Sequence, residues 1–229
     1  MSEASHASLR LRRTFSRRGL ALAPVLLVAL SACSGPAREA GPPAWRQRVI
    51  PYYVNVEANA VSEQAIRGEF DEWSRRTPLT FVYAGRNAAG LRRDGKNTVS
   101  FLLHWPSTLP QKTAYCQQWH DRSGHIVEAD IVFNCGLARF TTNATARPDS
   151  YRLEGVLSHE IGHLLGLGHS TSPLSLMKPD STIAESWFKG AIDSETLGRV
   201  AALYTAEPAP DVPRPSGDDM DAAMAVRAR

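Results

Sequence analysis

HEIGHLLGLGH occupies residues 159–169 and sets three histidines at fixed spacing. On a helix, positions i and i+4 lie one turn apart on the same face, so His159 and His163 can reach one metal ion. Gly166 can take the left-handed conformation that ends a helix, which lets the chain turn back and bring His169 to the same ion. Three protein ligands leave the fourth position of a tetrahedral zinc to water, as in catalytic zinc sites. This stretch therefore predicts a catalytic zinc centre.

Glu160 follows the first of these histidines and supplies the acid-base group that such a centre needs. Zinc lowers the pKa of a bound water to about 7 and polarises a carbonyl. The Glu160 carboxylate can accept the proton of that water and later deliver it to the leaving amine. Packing or surface histidines are the ordinary alternative, but five such positions coincide by chance with a probability on the order of 10⁻⁵. We therefore expect a zinc-dependent endopeptidase with Glu160 as general base.

The same residues resemble the long zinc motif of the metzincin metalloproteases, His-Glu-x-x-His-x-x-Gly-x-x-His followed by a methionine turn. LMKP at residues 176–179 supplies the methionine, and within the metzincins the chain looks most like the matrixins. The resemblance implies that Met177 forms an apolar floor under the zinc without ligating it; an ordinary core methionine is the alternative. No tyrosine stands just after Met177, so the zinc itself would stabilise the oxyanion.

The resemblance also implies a fold. It is an α+β, metzincin-like arrangement with a twisted, mostly parallel sheet, an antiparallel edge strand, a long zinc-binding helix and a small C-terminal lobe. Substrate in such a fold lies antiparallel to the edge strand, which we expect at Thr113–Gln118. The pocket beside the zinc would be walled by the segment after Met177, where Ile183, Trp187 and Phe188 are candidates. Packing of the C-terminal lobe is the alternative for these three side chains.

Residue patterns predict a matching order of elements. A strand, a helix, several strands and two further helices are typical of an α+β domain. The predicted strands cover residues 49–55, 79–83 and 99–103, with a hairpin over 113–119 and 126–134. The predicted helices cover 62–76, with Ser62 as N-cap, 150–165 and 194–204. The apolar arc of the second helix contains Leu153, Leu157, Ile161 and Leu164, and one face of the last strand contains Val127, Ala129, Ile131 and Phe133.

The N-terminus predicts export and a lipid anchor. Five arginines precede an apolar run at residues 19–32, the layout of a signal peptide over residues 1–32. The run is shorter than the roughly 20 apolar residues of a membrane-spanning helix. LSAC at residues 30–33 resembles the lipobox of bacterial lipoproteins, so Cys33 would be acylated and hold the protein on the cell envelope, at the periplasmic face of a membrane or at the cell surface. An ordinary cleavage site is the alternative, and both Sec and twin-arginine export stay open.

Composition divides the remaining chain into three parts. Residues 33–47 predict a flexible tether, residues 48–206 the zinc metallopeptidase domain and residues 207–229 a disordered tail. The whole chain carries a net charge of +3, and removal of the leader's +4 leaves −1. This balance gives no support to nucleic-acid binding, and we expect protein or peptide substrates. No residue pattern indicates the oligomeric state.

Two cysteines, Cys116 and Cys135, remain once Cys33 is acylated. In an exported chain they are candidates for a disulfide, and two buried thiols are the alternative.

The sequence gives weaker support for any further metal ligands. Asp121, Glu128 and Asp130 could contribute to a calcium site, although scattered carboxylates on a hairpin are more often a solvated face. His104, His120 and His125 match no metal-binding spacing, and hydrogen-bonding or solvent-facing roles are expected for them.

One alternative function of a different class stays open. A zinc-holding surface lipoprotein could bind peptides or partners without cleaving them. The presence of Glu160 argues against it, because zinc binding alone needs no general base. Broad proteolysis and cleavage of one envelope protein are not separated by the sequence.

Overall fold

The structure is a computed structural model that describes residues 43–55, 57–143, 145, 147–179, 182, 185–186 and 191–205. The main sheet contains strands β1 Val49–Asn55, β2 Thr80–Asn87, β3 Asn97–Leu102, β4 Ala114–His120 and β5 Ile126–Asn134. A second, two-stranded sheet contains β6 Phe140–Thr141 and β7 Tyr151–Arg152. The helices are α1 Ala60–Arg76, α2 Leu153–Leu164 and α3 Ser194–Tyr204.

The main sheet has the strand order β2-β1-β3-β5-β4. Its pairs are parallel except that β4 runs antiparallel to β5, as expected for two strands joined by a short hairpin. The predicted α+β fold with a mostly parallel sheet and an antiparallel edge strand is therefore confirmed.

Helix α1 begins earlier than predicted. Asn59 is its N-cap and accepts the backbone N–H of Ser62 at 2.9 Å, so Ser62 lies in the first turn instead of capping it. The predicted apolar face is correct, because Ile66, Phe70 and Trp73 are fully buried.

Helix α2 packs its predicted apolar arc into the core, where Leu153, Leu157, Ile161 and Leu164 are all buried. It begins at Leu153 because the preceding residues Tyr151–Arg152 pair with β6. Strand β5 lies between β3 and β4 and is buried on both faces. Of the four residues predicted to share one face, Ala129, Ile131 and Phe133 are buried and Val127 is 44% exposed.

The domain begins before the predicted boundary at residue 48. Trp45 is only 2% exposed and forms a bridge with Ile126, so the C-terminal part of the predicted tether is packed into the domain. The predicted leader, Cys33 and the tail at 207–229 lie outside the described residues. Among the helices that the structure describes, none has the length and apolarity needed to cross a membrane.

Candidate metal centre

Three histidines converge at one end of α2. His159, His163 and His169 each offer a ring nitrogen, and these atoms all lie within 4.8 Å of one another. The Nε2 atoms of His163 and His169 are 3.2 Å apart. In the described part of the chain, no other group of three His, Cys, Asp or Glu side chains is placed to share an ion.

Backbone carbonyls orient two of the rings. Nδ1 of His159 lies 2.7 Å from the Leu176 carbonyl, and Nδ1 of His163 lies 2.8 Å from the Leu167 carbonyl. A carbonyl only accepts, so Nδ1 carries the proton and Nε2 keeps its lone pair for a metal. Burial lowers the pKa of His163 to about 4, which leaves its imidazole neutral at neutral pH. Neutral imidazoles held in this way fit a divalent ion such as zinc.

The turn after α2 carries the chain to the third histidine. Gly166 has a φ of 94°, so its predicted left-handed conformation is confirmed. Its N–H donates to the His163 carbonyl at 2.7 Å, and the Leu167 N–H donates to the Gly162 carbonyl at 3.0 Å. These two bonds form the Schellman motif that ends many helices.

Met177 lies directly against the backbone of α2. It is fully buried, and a Cβ on Gly162 would fall 2.3 Å from its Sδ. The Met177 carbonyl accepts the Ser170 N–H at 2.8 Å, which ties the methionine turn to the residue after His169. Met177 therefore supports the helix that carries two of the three histidines.

Helix α3 fastens both loops of the centre. The Asp193 carboxylate accepts the Leu176 N–H at 2.7 Å, and Arg199 Nη2 donates to the Gly168 carbonyl at 2.7 Å. Sequence reasoning missed both residues. Asp193 could have been found as the N-cap of α3, but its contact with Leu176 depends on tertiary structure.

Glu160 and the histidines line a cavity of about 720 Å³. Glu160 is 6% exposed, and the Cys116 N–H donates to its carboxylate. Burial raises the pKa of Glu160 to about 8. The carboxylate thus lies beside the three histidines in a largely apolar cleft.

Strand β4 forms the edge of the sheet along this cavity, as predicted for residues 113–118. Tyr115, Cys116 and Gln118 are among its lining residues. Gln118 Nε2 also donates to the His163 carbonyl, which joins the edge strand to α2. Ile183, Trp187 and Phe188 lie outside the described residues; Tyr151, Val156 and Ser186 line the cavity in the part that the structure describes.

The candidate disulfide is not formed, and both cysteines are free. Cys116 pairs with Ile131 across the hairpin, whereas Cys135 lies four residues beyond Ile131, just past the end of β5. At about 3.3 Å per residue this offset is about 13 Å, too far for a disulfide, which needs Cα atoms within about 7 Å. The expectation from the export compartment was therefore wrong for this pair.

The candidate calcium ligands are acceptors for backbone amides. Glu128 accepts the N–H groups of Asp94 and Gly95 at 2.7 and 2.8 Å. Asp130 accepts those of Arg92 and Thr98 at 3.1 and 2.8 Å. These buried carboxylates therefore hold the loop before β3 and the start of β3, a role that the sequence did not indicate.

The remaining candidate metal ligands have hydrogen-bond partners nearby in the sequence or face solvent. Asp121 accepts the N–H groups of Ser123 and His125 within its own turn, at 2.8 and 3.0 Å. His120 lies 3.2 Å from Gln118 Oε1. His104 is exposed, in keeping with the solvent-facing role expected of it.

Comparison with known proteins identifies similar chains. Residues 113–205 match the family model of the matrixins. The chain is 26% identical over 167 residues to matrix metalloproteinase-19 of Homo sapiens, covering 70% of this chain and 30% of that protein. It is 28% identical over 173 residues to neutrophil collagenase of Homo sapiens, with coverages of 72% and 34%. It is 30% identical over 150 residues to interstitial collagenase of Oryctolagus cuniculus, with coverages of 61% and 29%. The matches thus span about a third of the length of these curated relatives.

Proposed function

Because residues 113–205 match the family model of the matrixins, we propose that this chain is a matrixin-like metzincin and a zinc-dependent endopeptidase. The observation that carries the proposal is the convergence of three histidines beside the buried carboxylate of Glu160, in one cleft. The whole arrangement lies along an exposed sheet edge, where a peptide chain can be bound in extended form.

His159, His163 and His169 are the residues that would hold the zinc ion through Nε2. A bound zinc ion lowers the pKa of a water molecule and polarises the scissile carbonyl. The carbonyls of Leu176 and Leu167 hold two of the rings by Nδ1, so the ligand nitrogens keep their direction when the ion exchanges.

Glu160 would act as the general base and then as the general acid. Its carboxylate, which a zinc ion held beside it would keep ionised, would take a proton from the attacking water and pass it to the leaving amine. The Cys116 N–H holds the carboxylate in place, and Glu160 itself is only 6% exposed. Glu160 has no comparable task in a protein that only binds peptides.

Strand β4 would orient the substrate. Its inner edge pairs with β5, and its outer edge borders the cavity that contains the histidines. An extended peptide that pairs with this outer edge would present its backbone carbonyl to the metal site whatever its side chains. Side-chain preference would then come from the cavity wall, where Tyr151 and Val156 offer apolar contacts.

Export and anchoring complete the proposal. The leader at residues 1–32 and the acylated Cys33 would hold the protein on the cell envelope, at the periplasmic face of a membrane or at the cell surface. Labelling of the wild type, and not of a Cys33→Ala variant, with a fatty-acid probe would support the anchor. Equal labelling of both would refute it.

The endopeptidase is tested by cleavage of a mixed library of internally quenched peptides. Purified full-length wild type is compared with Glu160→Gln at equal, measured zinc content, and with Glu72→Gln, a control on the surface of α1. We expect internal cleavage by the wild type and the control, and a loss of at least a thousandfold in Glu160→Gln. Equal cleavage by wild type and Glu160→Gln would refute the assigned base. Zinc-loaded wild type that binds peptides of the library without cleaving them would favour the non-catalytic alternative.

A further inference from the structure

The end of α2 has two carbonyls that its own turn does not satisfy. A helix leaves its last carbonyls without partners inside the helix. Here the Schellman motif provides donors for the carbonyls of Gly162 and His163. The carbonyls of Leu164 and Leu165 follow, and both residues are buried away from water.

Two aromatic side chains from distant parts of the chain donate to these carbonyls. Trp45 Nε1 donates to the Leu164 carbonyl at 2.8 Å, and the Tyr204 hydroxyl donates to the Leu165 carbonyl at 2.8 Å. The same hydroxyl accepts the backbone N–H of Trp45 at 3.2 Å. Trp45 and Tyr204 are 2% and 3% exposed, so the loss of either donor would leave a buried carbonyl without its partner.

The residues before β1 lie close against the same turn. The Pro43 carbonyl oxygen is so near Gly166 that a Cβ there would fall 1.9 Å from it. The Ala44 carbonyl accepts the Ile126 N–H at 3.1 Å, and Arg48 donates to the Tyr204 carbonyl at 2.9 Å. The N-terminal segment, residues 43–48, is therefore fixed between β5, α3 and the end of α2.

The turn after α2 is connected to the metal centre in two ways. The Leu167 carbonyl orients the His163 ring, and His169 lies two residues further along the chain. A shift of the Leu164 and Leu165 peptides would therefore move one ligand ring and the backbone that leads to another. We propose that Trp45 and Tyr204 are positioning residues of the metal centre, which act through the carbonyls of Leu164 and Leu165. The inference rests on the proposed zinc site.

The test uses the full chain and two conservative variants. Trp45→Phe keeps an aromatic ring and removes the indole N–H, and Tyr204→Phe keeps the ring under Arg48 and removes only the hydroxyl. Zinc dissociation constants are measured by competition with a chelator, and the absorption spectrum of the cobalt(II) form reports the geometry at the metal. Loss of a hydrogen-bond partner near metal ligands typically weakens metal binding by about 10- to 100-fold. We expect a weakening of about tenfold in each variant, with an altered cobalt(II) spectrum.

A matched control separates positioning from stability. Phe81 is buried on β2, at the opposite edge of the sheet from β4, and Phe81→Leu should lower stability at a site away from the end of α2. The melting temperatures of the zinc-free proteins show whether the control and the aromatic variants have lost similar stability. Dissociation constants and spectra unchanged in both aromatic variants would overturn the inference, and so would an equal weakening in Phe81→Leu of similar melting temperature.

The same data distinguish this inference from the proposed function. Wild type that binds zinc with the expected dependence on Trp45 and Tyr204, and yet cleaves no peptide, would overturn the endopeptidase alone. Wild type that binds no zinc would overturn both.

Discussion

Asp193 is joined to His159 through the backbone of one residue, Leu176: the Asp193 carboxylate accepts the Leu176 N–H at 2.7 Å, and His159 Nδ1 lies 2.7 Å from the Leu176 carbonyl. The same carboxylate caps α3 through the Thr196 N–H at 3.0 Å. One side chain therefore fixes the start of a helix and the direction of a ligand ring.

Asp193→Ala should weaken zinc binding as well as stability. We expect a loss of about 1–2 kcal/mol from the missing cap and about a tenfold weaker zinc affinity from the released ring. Chelator competition and urea unfolding measure the two effects. Asn59→Ala, which removes the cap of α1, is the control: it should lose similar stability at unchanged zinc affinity. An equal zinc affinity in wild type and Asp193→Ala would show that Leu176 keeps its place without the carboxylate.

His163→Ala should abolish zinc retention and peptide cleavage together. Two histidines would remain, and structural and catalytic zinc sites need three or four protein ligands. The zinc content after gel filtration, measured by elemental analysis, gives the direct readout. His104→Ala, on an exposed histidine, should retain a full equivalent of zinc. A full equivalent in His163→Ala would remove this residue from the proposed ligand set.

Gly162→Ala should destabilise the protein although alanine favours helices. The added methyl would fall 2.3 Å from Met177 Sδ, so the buried methionine has to move, and overpacking of this kind typically costs about 1–3 kcal/mol. Gly198→Ala on α3 is the matched substitution, because nothing lies within 4 Å of its Cβ position, and it should gain about 0.5–1 kcal/mol. Urea unfolding of both variants gives the comparison. Equal gains would mean that Met177 does not press on α2.

Local patterns were sufficient for most elements of this fold. Strand β1 and helix α3 have the predicted bounds, because turn residues and apolar periodicity act over a few residues. The convergence of the histidines was also predictable, since i, i+4 spacing and a helix-ending Gly166 are local features. The burial of Trp45 was not, because its partners at the end of α2 and in α3 lie more than a hundred residues away.

The prediction of a disulfide between Cys116 and Cys135 was wrong for a similar reason, because it also depended on tertiary structure. The compartment argument treats two cysteines as a pair, but only the register of β4 against β5 shows that they are offset along the hairpin. In the same way, Glu128 and Asp130 look like a solvated face or a cation site in the sequence. Their amide partners lie about thirty residues earlier, in the loop before β3 and at the start of β3, and the strand pattern alone does not place them.

Glu69 should make the protein less stable as the pH rises from about 4.5 to 7. It lies on α1 against α2, and burial is the main cause that raises its pKa to about 7. Among the groups that face it, Glu154 and Glu72 raise the pKa further, whereas the Ser158 hydroxyl and Arg152 lower it. Since the folded state holds this proton to a higher pH than the unfolded state does, its stabilising effect is complete below about 4.5 and is lost by about 7.

Glu69→Gln removes that titration and keeps the shape of the side chain. We expect equal stability of wild type and variant near pH 4, and a variant more stable by about 1–3 kcal/mol at pH 8. Urea unfolding at each pH measures the difference between the two proteins, from which the contribution of metal binding cancels because both have the same histidines. Glu57→Gln, on an exposed carboxylate, is the control. A difference between wild type and Glu69→Gln that stays constant from pH 4 to pH 8 would mean that the Glu69 carboxylate is ionised throughout, with Ser158 and Arg152 offsetting its burial.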